Sequence, residues 1–112
     1  MLPEVVKAVG DRARIWIDGG FVRGSDVVKG IALGAEIVGL GRIARMGLAA
    51  AGEAGLVRVL ELLEKEVRGC LGLLDVTRFD ELDASYLSAE TPVTAPSVVS
   101  AFPLLDLDAD RY

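Results

Sequence analysis

The sequence predicts an α/β protein built on two parallel strands, and three observations carry that prediction. Ile15-Trp16-Ile17-Asp18-Gly19-Gly20 is a short apolar run that ends in glycine, and Ile37-Val38-Gly39-Leu40-Gly41 is a second. Between them, residues 25–34 (SDVVKGIALG) place Val27, Val28, Ile31 and Ala32 on one helical face, which gives strand, helix, strand in parallel connection. The second run is almost continuously apolar, the pattern of a parallel strand covered on both faces.

The flanking elements follow in order. Pro3 fits the first turn of a short helix, and Gly10 stops that helix before the first strand. A new helix opens at about Arg42. Leu56, Leu60, Leu63, Val67, Cys70, Leu71 and Leu74 recur at three- and four-residue steps, predicting a long helix with one apolar stripe. Glu61 with Lys65, and Glu64 with Arg68, are four-apart pairs on its wet side. Thr77, with Asp80 and Glu81 three and four residues on, resembles a further helix N-terminus. From Ser88 the composition changes: Pro92, Pro96 and Pro103, then Asp106, Asp108 and Asp110, predict an extended acidic tail over 88–112 behind a domain of residues 1–87.

Two glycine-rich strand ends one helix apart describe a phosphate cradle. Glycine adopts φ > 0 and lets bare N–H groups approach an anion. The helix opening at Arg42 adds free N–H groups and a positive dipole end, and its arginine a forked donor. The bland alternatives stay open at this point: a turn-forming Asp18, glycines needed only for tight turns, a surface Arg42. Trp16 reads as core or interface and Met46 as packing.

The stretch DGGFVRGSDVVKGIALGAEIVGLGR resembles DGG, two residues, RG[TS]DV, KA[LI]ALGA and GR of the FMN-dependent α-hydroxy acid oxidases and dehydrogenases, the family of glycolate oxidase, lactate oxidase and mandelate dehydrogenase. Leu48-Ala49-Ala50-Ala51-Gly52-Glu53-Ala54-Gly55, Val59-Leu60 and Glu66 resemble the family's LAxxGEAGVxxVLxxLxxE. Phe79 to Leu82 with Tyr86-Leu87 resembles its short closing helix, so the likeness runs over residues 2–87.

The resemblance implies the C-terminal part of a (β/α)8 TIM barrel: strand 7, helix 7, strand 8, a phosphate-binding helix and helix 8. In such barrels the loops after strands 7 and 8 and a short extra helix build the phosphate site. The implied cofactor is FMN, held by Asp18, Gly19, Gly20, Arg23, Gly41 and Arg42, with Asp18 on the ribityl hydroxyls. Two positions depart from the pattern. The phosphate-gripping arginine two residues after the second glycine is Val22 here, with Arg23 and Arg45 the nearby substitutes, and the proline after GR is Ile43.

A whole barrel needs about 250 residues, against 112 here. The family's catalytic histidine, carboxylate-binding arginine and substrate tyrosines lie upstream of the matched stretch, and the sequence contains no histidine. No catalytic residue is therefore assigned. The expectation is one chain of a split barrel, completed by a complementary chain that supplies strands 1 to 6 and acting on a small 2-hydroxy acid. A non-catalytic scaffold subunit with a decayed flavin site, and an inactive truncated fragment, are the alternatives.

Composition narrows the remaining classes. The chain is 52% hydrophobic with a net charge of −5 and scattered basic residues, which argues against nucleic acid and anionic membranes as partners. Arg42 and Arg45 interrupt the longest apolar run, short of the roughly 18 residues of a spanning helix. No secretory signal is read at the start, and a cytoplasmic location is the default. Cys70, the single cysteine, reads as a packed small hydrophobe, and no metal-ligand spacing is present.

Overall fold

The computed structural model describes residues 2–89. The first helix, α1 (Leu2–Val9), closes as expected at Gly10, whose N–H donates to the Val6 carbonyl at 2.8 Å. Strand β1 (Trp16–Asp18), helix α2 (Gly24–Ala32) and strand β2 (Ile37–Gly39) form the predicted unit. The strands pair in parallel with Trp16 opposite Ile37, Ile17 opposite Val38 and Asp18 opposite Gly39. Both strands are shorter than their apolar runs. Regular pairing ends at Asp18 and Gly39 because the chain turns there into the two glycine-rich ends.

Helix α2 buries Val28 and Ala32, while Val27 and Ile31 are half-buried, so one face packs inward as its spacing predicts. Its C-terminal carbonyls are satisfied as the chain turns: the Gly34 N–H donates to Ile31 O at 2.8 Å and the Ala35 N–H to Gly30 O at 3.1 Å. At the other end α2 approaches its neighbour so closely that a Cβ on Gly24 would lie 2.5 Å from both Glu66 Cβ and Val67 N.

That neighbour, α3 (Arg42–Leu73), is two arms joined at a sharp bend. Ala51 (φ −152°, ψ 29°) and Gly52 (φ 58°, ψ −142°) leave helical geometry, and the positive φ at 52 suits glycine. The arms then meet at small residues: a Cβ on Gly47 would lie 2.7 Å from the Gly55 carbonyl oxygen. The second arm carries the expected stripe with one exception. Leu63 is buried and Leu56, Val67, Cys70, Leu71 and Leu74 are half-buried, whereas Leu60 is exposed.

The core lies between α2, this second arm and the closing segment. Val28, Ala32, Val76 and Leu82 are buried together, with Val67, Cys70, Leu71, Leu74 and Leu87 packed against them. Cys70 is thus a packing residue. In the closing segment Thr77 donates its N–H and hydroxyl to Glu81 Oε1 at 3.0 and 2.9 Å. The expected helix start is present there, but only single 3₁₀ turns form, at Phe79–Glu81 and Ala84–Tyr86.

Some side chains sit otherwise than their type suggests. Trp16, read as core or interface, is 71% exposed, which leaves the interface reading, and Met46, read as packing, is 63% exposed. Trp16 shares one sheet face with its register partner Ile37, also exposed, while on the opposite face Val38 lies against α2, where a Cβ on Gly30 would come 3.6 Å from its Cγ2. Glu64 pairs with Arg68 at 2.8 Å, but Glu61 takes Arg58, three residues back, instead of Lys65. The predicted acidic tail falls, from residue 90 on, outside the described residues.

Candidate functional site

The C-terminal ends of β1 and β2 open on one cavity of about 160 Å³, lined by Asp18, Gly19, Gly20, Phe21, Val22, Gly39, Gly41, Arg42 and Arg45. Five of the six residues singled out in the sequence therefore meet around it: Asp18, Gly19, Gly20, Gly41 and Arg42. Arg23 does not line it.

The cavity is built by the local chain geometry. Gly19 and Gly20 both have positive φ, 107° and 81°, so the backbone turns directly off the strand end. Phe21, buried, then anchors the loop: a Cβ on Gly30 of α2 would lie 3.1 Å from its ring. The Asp26 carboxylate fixes the far end, accepting from the Val22 and Arg23 N–H groups at 3.2 and 3.0 Å. Opposite, Gly39 lets the Asp18 side chain lie over β2, since a Cβ there would come within 3.1 Å of the carboxylate. At Gly41 the chain enters α3 with φ −92°, and beyond its chain neighbours none of the described residues comes within 4 Å of where a Cβ would stand. Neither backbone angle nor packing among the described residues requires glycine at 41.

Arg23 is turned elsewhere. Its guanidinium pairs with Glu66 at 2.9 Å, and the same carboxylate accepts from the Gly24 N–H at 2.7 Å. Arg23 thus lines a separate groove with Ile43, Val59, Leu62 and Glu66, and Val22 borders both spaces.

The sequence reading passed over Gly39 and Phe21 as site residues, and named Arg45 only as a nearby substitute for the arginine missing at Val22. Gly39 was legible in principle, because parallel register sets it opposite Asp18. Arg45 was legible as a neighbour of Arg42 three residues on, on the same helical side. Phe21 carried no such signal.

The donor set suits a phosphate. Bare N–H groups at a double-glycine turn, a helix beginning at Arg42 and two arginines converge on a space with room for one end of a cofactor, well under the about 300–1,000 Å³ of a complete small-molecule site. Among the described residues no group of acidic, cysteine or histidine side chains is arranged to hold a metal ion. No helix among them is long and apolar enough to cross a membrane.

Fold and site together define a strand–helix–strand–helix segment of a β/α protein with a glycine-rich cavity at its strand ends. The comparisons with known proteins give the family. A family model for FMN-dependent dehydrogenases matches residues 1–89, and the chain belongs to that family. FMN is the family's cofactor. The chain is 41% identical over 86 residues to L-lactate oxidase of a Nostoc species, covering 77% of this chain and 24% of that protein. To L-lactate dehydrogenase of a Caulobacter species it is 45% identical over 87 residues, covering 78% and 23%. Its fold superposes on a soluble mutant of the membrane-associated (S)-mandelate dehydrogenase of Pseudomonas putida with a TM-score of 0.76 and 42% identity, over 80% of this chain and 25% of the other. The chain spans about a quarter of the length of these relatives.

Proposed function

We propose that this chain is the FMN phosphate-binding segment of a 2-hydroxy-acid-oxidising flavoenzyme, one part of a (β/α)8 barrel completed by a complementary chain that supplies strands 1 to 6 and the catalytic base. The observation that carries the reading is the meeting of Gly19-Gly20 and Gly41-Arg42 at one cavity, from the ends of two adjacent parallel strands. Asp18 would accept hydrogen bonds from the ribityl hydroxyls, while the glycine turn, the start of α3 and Arg42 would hold the phosphate. Bound flavin supplies the acceptor for the two electrons leaving the substrate's carbinol carbon. This chain's residues fix where the cofactor's tail lies and leave the substrate to the partner. The open edges of a two-stranded sheet and the exposed Trp16–Ile37 face support assembly with further strands. Acidic composition with scattered basic residues supports a reading with neither nucleic acid nor an anionic membrane surface as partner.

Purifying the assembly through a tag on this chain tests the reading. Stoichiometric FMN, released by Arg42→Glu, is the expected result, because a carboxylate would then face a phosphate. An assembly that contains a whole barrel and no flavin would overturn it. Val22 favours a second reading, a scaffold subunit whose flavin site has decayed, since an apolar side chain occupies the cavity wall where the family pattern places an arginine. That reading expects the colourless assembly.

A further inference from the structure

We infer that Arg45 is the second cation of the phosphate cradle and makes the site selective for a flavin bearing a phosphate monoester over one without it. The inference rests on the FMN reading above and extends it to a residue outside the motif. Val22 brings no donor to the cavity wall, and Arg23, the nearer arginine in sequence, is held outside the cavity by Glu66. Among the described residues, Arg45 is the remaining arginine that borders the space besides Arg42.

Charge balance shows what Arg45 contributes. Among the described residues, Asp18, Arg42 and Arg45 are the ionisable side chains that line the cavity. With Arg42 alone, the aspartate would cancel the arginine, leaving only the start of α3 and the turn amides to meet a phosphate monoester of about −1.5 to −2 at pH 7. Arg45 makes the summed formal charge of these three side chains positive. No carboxylate among the described residues is paired with it. Its backbone N–H donates to the Gly41 carbonyl at 3.1 Å, so the residue belongs to the first turn of α3 and its stem starts close to the cradle. A flavin lacking the phosphate gains nothing from this cation.

The test uses the full chain, purified with whatever assembles on it, stripped of flavin and titrated separately with FMN and riboflavin by fluorescence quenching. The expected result is tighter binding of FMN than of riboflavin. Arg45→Gln should weaken FMN roughly tenfold or more, the scale of one charge-assisted hydrogen bond. Riboflavin affinity should stay unchanged, Arg45→Lys should recover part of the loss, and Arg23→Gln should alter neither ligand. If Arg45→Gln leaves FMN affinity intact while Arg42→Gln lowers it, Arg45 is not a ligand and the cradle stands without it. Equal weakening of FMN and riboflavin by Arg45→Gln would also overturn the inference, because it would mark a structural role. Wild-type protein that binds FMN no tighter than riboflavin would remove the phosphate site itself.

Discussion

Glu66, on the second arm of α3, caps a helix that begins 42 residues earlier: its Oε2 accepts from the Gly24 N–H at 2.7 Å while Oε1 holds Arg23. The N-terminus of α2 is thereby tied to α3 by a half-buried carboxylate, whereas the arginine partner is 69% exposed. The two halves of this contact should therefore differ in worth. Glu66→Ala is expected to destabilise the protein by about 1–3 kcal/mol, the cost of a lost charged hydrogen bond and an orphaned helix donor. Arg23→Ala should cost at most about 1 kcal/mol, as exposed ion pairs do. Urea denaturation of the two variants checks the difference.

Asp75 offers a stabilising change. It follows α3 in left-handed geometry, φ 57°, while the Val76 N–H donates to Leu71 O and the Asp75 N–H to Gly72 O at 3.1 and 3.4 Å. This is the closing motif that ordinarily uses glycine. Asp75→Gly removes the Cβ penalty, partly offset by the freer unfolded chain, and is expected to add about 0.5–1 kcal/mol. A raised thermal midpoint is the readout.

The closing segment should be the acid-sensitive part of the molecule. Hydrogen bonds from the Thr77 hydroxyl and then its amide hold the Glu81 carboxyl below its ordinary range, and Ser85 does the same for Asp83. Because these folded values are depressed, their contribution is complete above the unfolded values of about 4 and is lost as pH falls through the folded ones. Residues 77–87 are thus expected to lose amide protection on acidification before the α2 core does. Thr77→Val should move the Glu81 midpoint upward in an NMR titration.

The strand–helix–strand unit was legible because its signals are local: apolar runs, helical spacing and glycine punctuation. The cradle was legible for the same reason, since parallel pairing brings the ends of both runs together. What escaped the sequence is set by three-dimensional neighbours. Leu60 continues the helical spacing, yet no described element covers it. Trp16 and Met46 look like core residues by type and are exposed for want of neighbours here. Arg23 matches a motif position, but a carboxylate 43 positions along the sequence decides where its guanidinium goes.

Catalysis should be absent from the chain alone. Removing the proton from a 2-hydroxy acid needs a base within hydrogen-bond reach, histidine most often, and the sequence contains none. The purified chain supplied with FMN is expected to show no turnover of lactate, glycolate or mandelate. If the barrel is split as proposed above, turnover should arise on adding the chain that completes it, followed by flavin reduction under anaerobic conditions.

Two glycines separate a packing role from a binding one. At Gly24 a Cβ would collide with the backbone of α3, so Gly24→Ala is expected to cost more than about 1–3 kcal/mol, the range for overpacking, despite alanine's better helix propensity. At Gly41 a Cβ would meet none of the described residues beyond its chain neighbours within 4 Å, and φ is ordinary, so Gly41→Ala should leave stability within about 0.5 kcal/mol of wild type. Gly41 nevertheless borders the cavity, beside Arg42. An added methyl there takes space and close backbone approach away from an incoming phosphate. Gly41→Ala should therefore weaken FMN binding several-fold while its urea midpoint stays put. A variant that binds FMN as wild type does would show that the phosphate makes no close approach to this turn.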